Sequence, residues 1–444
     1  MSGRIFGKKW SSFQIIIMGF LAAIFIGALL LTLPAASRAG RWTPFYDTLF
    51  TAVSAVCVTG LVVRDTASHW SGFGQGVILL LIQLGGLGVV FAASFVAAAS
   101  GRKASIFQRS LLKDSISAHQ IGGVVQLASF VFKMTFLTEL SGALLLLPAF
   151  CGRYGFSGVW LAVFHSVSAF CNAGFDLLGD KTGSFSSLTS FSGDIGIVLP
   201  VCALIAIGGL GFLTWEDIAE KGFRFKRYRM QSKVILITTA VLILLPALFL
   251  FWYDFSAYPL KERFLLSLFQ AVTPRTAGFN TFDYAAMSGS GRILTIFLML
   301  IGGSPGSTAG GIKTTTAAVL LANAAAAVRR RKNPELFRRR IEESALMDAA
   351  ALMVLYVFFT LFGALLISAA ERLPVAACLF ETASAIGTVG LSLGITPALG
   401  SFSRLLLMLL MFFGRVGGLT LLGAAVSKSP AEAGRYPLGK INVG

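Results

Sequence analysis

Four short stretches of this sequence end on a glycine in a related local pattern. They read SAVCVTGL, SAFCNAGF, VTPRTAGF and SAIGTVGL, and their shared glycines are Gly60, Gly174, Gly278 and Gly390. Glycine adopts left-handed and other restricted backbone angles, so it allows consecutive carbonyl groups to point inward at one ion. Rings of carbonyl oxygens can replace the hydration shell of a monovalent cation. These stretches therefore predict cation coordination by backbone oxygen atoms.

The residues that precede the four glycines are all neutral. A ring of carboxylates, which divalent cations prefer, is missing from these positions. One such glycine alone would indicate an ordinary turn or a close helix contact, but four in register indicate a shared role. The candidate filter positions are Val58, Thr59, Gly60, Asn172, Ala173, Gly174, Thr276, Ala277, Gly278, Thr388, Val389 and Gly390.

The composition indicates a membrane protein. Of the 444 residues, 55% are hydrophobic and only 13% are charged, far from the values of soluble domains. Segments of about 20 apolar residues can cross a bilayer. We predict seven continuous spans and an eighth that is long but broken; they cover residues 13–33, 76–98, 124–147, 195–214, 234–252, 349–370 and 405–426, with the broken one at 293–327.

The net charge of +17 could suggest nucleic-acid binding, but the basic residues cluster in alternate connections between the spans. By the positive-inside rule, this pattern places both termini and three basic loops in the cytoplasm. We therefore expect no nucleic-acid partner and a multi-pass protein of the bacterial inner membrane. The run at 329–340 marks topology and contacts anionic lipid, or it is a docking surface for a cytoplasmic partner. The basic clusters are Arg102, Lys103, Arg109 and Lys113, then residues 221–233, then 329–340.

The chain contains a fourfold internal repeat. Short apolar stretches at 46–56, 158–170, 264–273 and 375–386 are too short to span and lead into the four glycines, which recur at intervals of 114, 104 and 112 residues. A second landmark follows each time, reading GGLG, GGLG, GGSP and GRVG. The predicted fold is an all-α polytopic membrane protein with eight transmembrane helices. Its repeats of spanning helix, pore loop and spanning helix cover 1–100, 101–220, 221–330 and 331–427, and a cytoplasmic tail covers 428–444.

Loops that enter the membrane are tolerated only where protein buries them or where they line a watery cavity. Each repeat crosses twice, so all four share one orientation and can surround a common axis. We therefore predict a pseudo-fourfold pore whose narrowest part is formed by the four glycine loops.

A candidate gate lies in the third repeat. The stretch GGSPGSTAGG is too rich in glycine to continue a helix, and its proline lacks the backbone N–H that a helix needs as a hydrogen-bond donor. We place it in the cavity below the filter, with a simple kinked helix as the alternative. Arg415 occupies the landmark position that other repeats fill with glycine, and an intramembrane cation there would oppose cation passage. The gate residues are Arg415, Gly302, Gly303, Ser304, Pro305, Gly306, Ser307, Thr308, Ala309, Gly310 and Gly311.

These loops and landmark helices resemble the Trk/Ktr/HKT superfamily of potassium transporters over nearly the whole chain, and are most similar to the Ktr membrane subunit. The resemblance implies a homodimer, a cytoplasmic nucleotide-binding regulatory ring of the RCK type, and an arginine that meets the gating loop. Plant members selective for sodium carry serine at the first filter position, where this chain has Gly60, so the resemblance favours potassium. K+ is then expected only at the filter, and nucleotide only through the partner.

Other functions remain open or find little support. The sequence does not distinguish a channel from a symporter, and activation by Na+ is left open. The alternative function is a secondary transporter for another cation or a small organic solute, although the repeats are parallel and only one helix is predicted to be broken. An enzyme is not expected, since His69, His119 and His165 are scattered and no catalytic motif or phosphate-binding loop occurs. Glu139, inside a predicted span, should contact a polar neighbour.

Overall fold

A computed structural model describes residues 3–5, 8–89, 91, 124–331 and 333–417. Within these residues the chain is mostly helical, which confirms the coarse fold class. The predicted basic cluster from Arg102 to Lys113, His119 and the tail at 428–444 lie outside the described residues.

The helices alternate between long and short elements. In chain order the α-helices are α1 (Ser12–Thr32), α2 (Phe45–Val56), α3 (Thr66–His69), α4 (Gly72–Leu87), α5 (Val124–Tyr154), α6 (Ser157–Phe170), α7 (Gly179–Thr182), α8 (Ile195–Gly209), α9 (Phe212–Lys221), α10 (Met230–Trp252), α11 (Leu260–Val272), α12 (Gly289–Leu300), α13 (Thr314–Val328), α14 (Glu343–Glu371), α15 (Val375–Gly387) and α16 (Ser401–Val416). Single 3₁₀ turns occur at Pro34–Ala36, Thr189–Phe191, Phe225–Arg227, Tyr284–Ala286 and Thr396–Ala398. Two antiparallel hairpins pair Gly3–Ile5 with Lys8–Trp10 and Glu335–Leu336 with Arg339–Arg340.

Four helices in the described part of the chain are long and apolar enough to cross a bilayer, namely α1, α5, α10 and α14. The pair α8 and α9 raises this number to five if it counts as one bent span. The most apolar windows of α1, α10 and α14 are each only 28% buried inside the protein. Apolar surface of this extent would be unfavourable in water, so these helices are embedded in a membrane. The predicted spans 76–98 and 405–426 run partly outside the described residues.

The four predicted short helices are present as α2, α6, α11 and α15. Each packs against the long helix that precedes it in the chain, namely α1, α5, α10 and α14. None of the four is long enough to cross a bilayer alone. Each ends at one of the four glycine loops.

The expectation that only one helix is broken was wrong. The predicted span 195–214 ends at Gly209, and α9 leaves it at an angle of 98°. The cause is Gly211, whose φ of +89° cannot be part of a right-handed helix. Gly88 and Gly417, at the same place in the first and fourth landmarks, have φ values of +91° and +90° and end α4 and α16.

The stretch that was expected to break the predicted span 293–327 is not helical. Helix α12 ends at Leu300, and α13 does not begin until Thr314. The intervening segment closes on itself, because Gly302 N–H donates to the Ile312 carbonyl at 2.8 Å and Thr314 N–H donates to the Gly303 carbonyl at 2.9 Å. These bonds satisfy backbone groups that a simple kink would leave unpaired.

Candidate functional site

The four glycine loops share one backbone conformation. Gly60, Gly174, Gly278 and Gly390 all have positive φ, between +69° and +93°. The residue two positions before each glycine also has positive φ; these are Val58 (+54°), Asn172 (+58°), Thr276 (+73°) and Thr388 (+52°). Because left-handed and ordinary residues alternate, successive carbonyl groups can face the same side of the loop.

This conformation is strained at three of the loops. Val58, Thr276 and Thr388 are β-branched, and such residues rarely adopt positive φ. The cost is of order 1–3 kcal/mol for each residue, and it persists only where the surroundings impose it. Backbone strain of this kind concentrates at functional sites. The same strained angle in three loops is therefore a property of a site and not an accident of one turn.

The four loops meet in a closed ring, which we call the glycine ring. Each glycine approaches the carbonyl group that precedes the next glycine in chain order, and the fourth closes onto the first. A Cβ atom added to these glycines would fall far inside the ordinary contact range of 3.4–4 Å. The distance from the added Cβ atom to the carbonyl oxygen is 2.5 Å for Gly60 and Ala173, 2.7 Å for Gly174 and Ala277, 2.3 Å for Gly278 and Val389, and 2.1 Å for Gly390 and Thr59.

A hydroxyl group at the end of each short helix supports the ring. Ser54 Oγ accepts from Gly60 N–H and Ser384 Oγ accepts from Gly390 N–H, both at 3.0 Å. In the other two loops, Ser168 and Thr273 instead donate to the carbonyls of Phe175 and Phe279, both at 2.7 Å. Sequence reasoning missed these residues, although the serine that opens three of the four quoted stretches was visible.

The second landmark allows helices to approach the loops closely. A Cβ atom on Gly85, Gly208 or Gly414 would lie 2.0–2.1 Å from a carbonyl oxygen in the last turn of a short helix. The carbonyls concerned are those of Val56, Phe170 and Ile386. Any side chain here would push the long helix away from the loop, so the landmark glycines are needed for packing.

The glycine-rich loop, residues 302–311, lies against the residues that precede the glycine ring. A Cβ atom on Gly310 would lie 2.1 Å from Thr388 Oγ1, and one on Gly302 would lie 3.0 Å from Thr276 Cγ2. The loop is also bonded to the bend between α8 and α9 by three hydrogen bonds. These are Ser304 N–H to Gly209 O (2.9 Å), Thr308 N–H to Gly208 O (3.3 Å) and Phe212 N–H to Gly306 O (2.7 Å).

Arg415 joins this loop to the first repeat. Its guanidinium donates to the carbonyl of Thr308 in the loop, and to the carbonyls of Gly85 and, at 3.0 Å, Gly86 in α4. The arginine was expected well inside a longer helix, but it lies in the last turn of α16, which ends at Val416. Each bond from a charged donor is worth about 1.5–3 kcal/mol, so the contact is a substantial one.

Two further ionisable side chains, the half-buried Lys313 and the buried Glu139, lie close to the site. Lys313 donates from Nζ to the carbonyls of Ala309 (2.7 Å) and Gly310 (3.3 Å), which ties down the end of the glycine-rich loop. Sequence reasoning gave Lys313 no role, although a lysine within an apolar segment is itself a functional indication. The polar neighbour expected for Glu139 is Gln83, whose Nε2 donates at 3.2 Å.

His165 lies within the short helix α6. It is fully buried, and its Nδ1 is 2.8 Å from the Leu161 carbonyl. Its surroundings are the rings of Phe150, Phe164 and Phe279. This environment suits a packed core residue, and we assign it no part in the site.

A cavity of about 320 Å³ opens on the other side of the glycine ring, lined by the residues that follow the four glycines. Its lining includes three carboxylates, Asp65, Asp176 and Asp283. Burial raises the pKa of the Asp176 carboxyl group to about 7. The negative charge of Asp65 also raises this pKa, and the hydrogen bond from the Leu178 N–H lowers it by a smaller amount than burial raises it. Three acidic side chains thus line the cavity next to the ring. They were not predicted from the sequence, where only the neutral residues beside the glycines were considered.

The sequence matches a known family along almost its whole length. Residues 8–434 match the model of the TrkH family, described as a cation transport protein. The chain is 39% identical over 449 residues to the potassium/sodium uptake protein NtpJ of Enterococcus hirae, with 98% of both chains covered. It is 37% identical over 446 residues to the Ktr system potassium uptake protein B of Bacillus subtilis, again with 98% of both covered.

The fold also resembles a solved structure. The crystal structure of the potassium transporter TrkH from Vibrio parahaemolyticus superposes with a TM-score of 0.74 at 19% sequence identity. The superposition covers 96% of this chain and 87% of that one. At this level of identity the likeness concerns the fold.

Proposed function

Since the chain belongs to the TrkH family of cation transport proteins, we propose that it is the ion-translocating membrane subunit of a potassium uptake system. The single observation that carries this proposal is the closed glycine ring. Four loops with the same alternating backbone angles approach one another around one point, and carbonyl oxygens are the ligands of monovalent cations in such rings. The two relatives, a potassium/sodium uptake protein and a potassium uptake protein, agree with this proposal.

The proposed filter consists of the glycine ring together with the two residues before each glycine. The strained angles at Val58, Thr276 and Thr388 support this role, because they orient carbonyls at a cost in stability. The chain around the filter is proposed to be four parallel repeats with eight spanning helices, at 1–100, 101–220, 221–330 and 331–427, followed by the tail at 428–444. Discrimination between K+ and Na+ comes from the number and spacing of these carbonyls.

The proposed gate is the glycine-rich loop together with Arg415. The loop lies against Thr388 on one side of the filter, and its bonds to the α8–α9 bend and to Arg415 hold it there. A guanidinium on the cation pathway opposes cation passage. Opening then requires the loop to leave Arg415, and we propose that a cytoplasmic nucleotide-binding partner of the RCK type supplies the free energy.

The remaining assignments follow the charge pattern and the family. We propose a homodimer in the bacterial inner membrane with both termini in the cytoplasm, where the basic segments 221–233 and 329–340 lie. Nucleotide binds the partner and not this chain. Sodium is a proposed activator or second cation, as the name of the Enterococcus relative includes both ions.

The first test is uptake in a bacterium that lacks its own potassium transporters. Wild type and Gly390→Ser would be expressed alone and with a candidate partner, and K+ and Na+ uptake would be measured. We expect potassium-selective uptake by the wild type and loss of selectivity by the variant. Absence of cation uptake in every combination, with the protein present in the membrane, would contradict the proposal.

A further inference from the structure

Glu381 is a fully buried acid in α15. Its two carboxyl oxygens accept three hydrogen bonds from the segment that follows the fourth glycine of the ring. Oε1 accepts from Ser392 Oγ at 2.6 Å and from Leu393 N–H at 3.0 Å, and Oε2 accepts from Thr396 Oγ1 at 2.6 Å. A buried carboxyl group is costly unless it is hydrogen-bonded, so these three donors are needed to hold Glu381 in place.

The three donors belong to the wall of the cavity of about 320 Å³ next to the glycine ring, which we call the outer cavity. Ser392, Leu393 and Thr396 all line it beside the glycine ring. Ser384, one turn further along α15, accepts from Gly390 N–H. The same short helix therefore holds the fourth loop at Gly390 and again just beyond it. The stretch between these two anchors cannot move outward unless the bonds to Glu381 break.

The third loop has a corresponding anchor made by a neutral amide. Gln270 of α11 is fully buried, and its Nε2 donates to Thr281 Oγ1 at 3.3 Å. Its Oε1 accepts from the hydroxyl of Tyr284. Both partners follow Gly278, as the partners of Glu381 follow Gly390. The third and fourth loops are thus each fastened to their short helix by a carboxyl or amide side chain.

We propose that Glu381 is a positioning residue for cation selection, which fixes the outer part of the fourth loop so that the Val389 and Gly390 carbonyls keep their place in the ring. The proposal rests on the function proposed above. It assigns the effect to geometry, since an amide holds the third loop in the same way. A glutamine at this position can accept from Ser392 and Leu393 on its oxygen, while the Thr396 hydroxyl rotates to accept from its NH₂ group.

The experiment compares Glu381→Leu with Glu381→Gln in the full chain, expressed in a bacterium without its own potassium uptake. The readouts are the apparent affinity for K+, the maximal rate per protein in the membrane and inhibition by Na+. We expect Glu381→Leu to weaken the apparent affinity for K+ or the preference over Na+ by about tenfold, with the maximal rate changed much less. Glu381→Gln should restore both properties.

The matched control is Glu371→Leu. Glu371 also accepts from a backbone N–H and a serine hydroxyl, those of Gly400 and Ser403, but it caps α16 and does not line the cavity. Its loss should lower the amount of folded protein and leave ion preference unchanged. A shift in ion preference by Glu371→Leu equal to that by Glu381→Leu would overturn the proposal, since it would reflect general destabilisation.

Two further results would also overturn it. One is a Glu381→Leu variant with wild-type affinity and ion preference; the other is a Glu381→Gln variant as defective as the leucine variant, which would show that charge and not position matters. If misfolding lowers the amount of Glu381→Leu, the single substitutions Ser392→Ala and Thr396→Val remove one donor each and should move the same readouts partway. If wild type itself takes up no cation, the proposed function fails and not this inference.

Discussion

The guanidinium of Arg415 donates a hydrogen bond to the carbonyl oxygen of Thr308, a residue 107 positions earlier in the chain. The bond joins the end of the last described helix to the middle of the glycine-rich loop. The same side chain holds Gly85 and Gly86 of α4, so one arginine connects three of the proposed repeats. Its loss would release the loop from two neighbours at once.

We predict that Arg415→Ala increases cation flux in the absence of the regulatory partner. Hydrogen bonds from a charged donor contribute about 1.5–3 kcal/mol each, enough to shift a closed–open equilibrium by about tenfold or more. Rubidium uptake into vesicles with and without the partner measures the effect. Arg404→Ala is the control, because Arg404 lies in the same helix but pairs with Asp47 away from the loop. Unchanged flux under both conditions would rule out the proposed gate.

A second prediction separates backbone strain from crowding in the ring. In Gly390→Ala the new Cβ would lie 2.1 Å from Thr59 O, whereas in Gly394→Ala, at the similar φ of +85°, nothing lies within 4 Å. The backbone strain of a non-glycine residue at positive φ costs about 1–3 kcal/mol at either position. We therefore expect Gly394→Ala to keep ion preference and Gly390→Ala to lose about tenfold or more of it, as measured by K+ and Na+ competition. Equal behaviour of the two variants would argue against a ring that selects ions.

A third prediction concerns stability. Ser384→Ala removes the acceptor of the Gly390 N–H and leaves this half-buried donor unpaired, which costs about 1–3 kcal/mol. Thermal unfolding of the purified protein in detergent should show a lower midpoint. Ser141→Ala is the comparison, since this exposed serine donates only to the Leu137 carbonyl of its own helix. If Ser141→Ala lowered the unfolding midpoint as much as Ser384→Ala, the hydroxyl near the ring would contribute no more to stability than an exposed serine.

Much of this architecture could be predicted from sequence, because it depends on local patterns that repeat. The fourth short helix was expected at 375–386 and runs over Val375–Gly387. The four glycines were expected to meet, and they do. The break at Gly211 was missed because the sequence does not show why a glycine is present. Gly208 is needed for close packing and Gly211 for its positive φ, and the two cannot be told apart from residue type alone. The anchors of Glu381 and Lys313 were missed because their partners are set by loop conformation.

A fourth prediction uses external pH. Burial raises the pKa of Asp176 to about 7, so the group is mostly neutral below that pH and negatively charged above it. Negative charge in the outer cavity attracts cations, so uptake at low K+ should increase between about pH 6 and about pH 8. Asp176→Asn should flatten this profile. A profile that survives in Asp176→Asn assigns the titration to another group.

The glycine ring is built by one chain, with a different set of neighbours for each of its four members. In a ring made by four identical subunits, every substitution is present in all four subunits and changes all sides of the opening together. Here a substitution enters once, and the other three quarters keep their original chemistry. Each quarter can therefore be altered in isolation, as the neutral Gln270 and the acidic Glu381 already illustrate. One substitution in this chain therefore alters only one quarter of the opening.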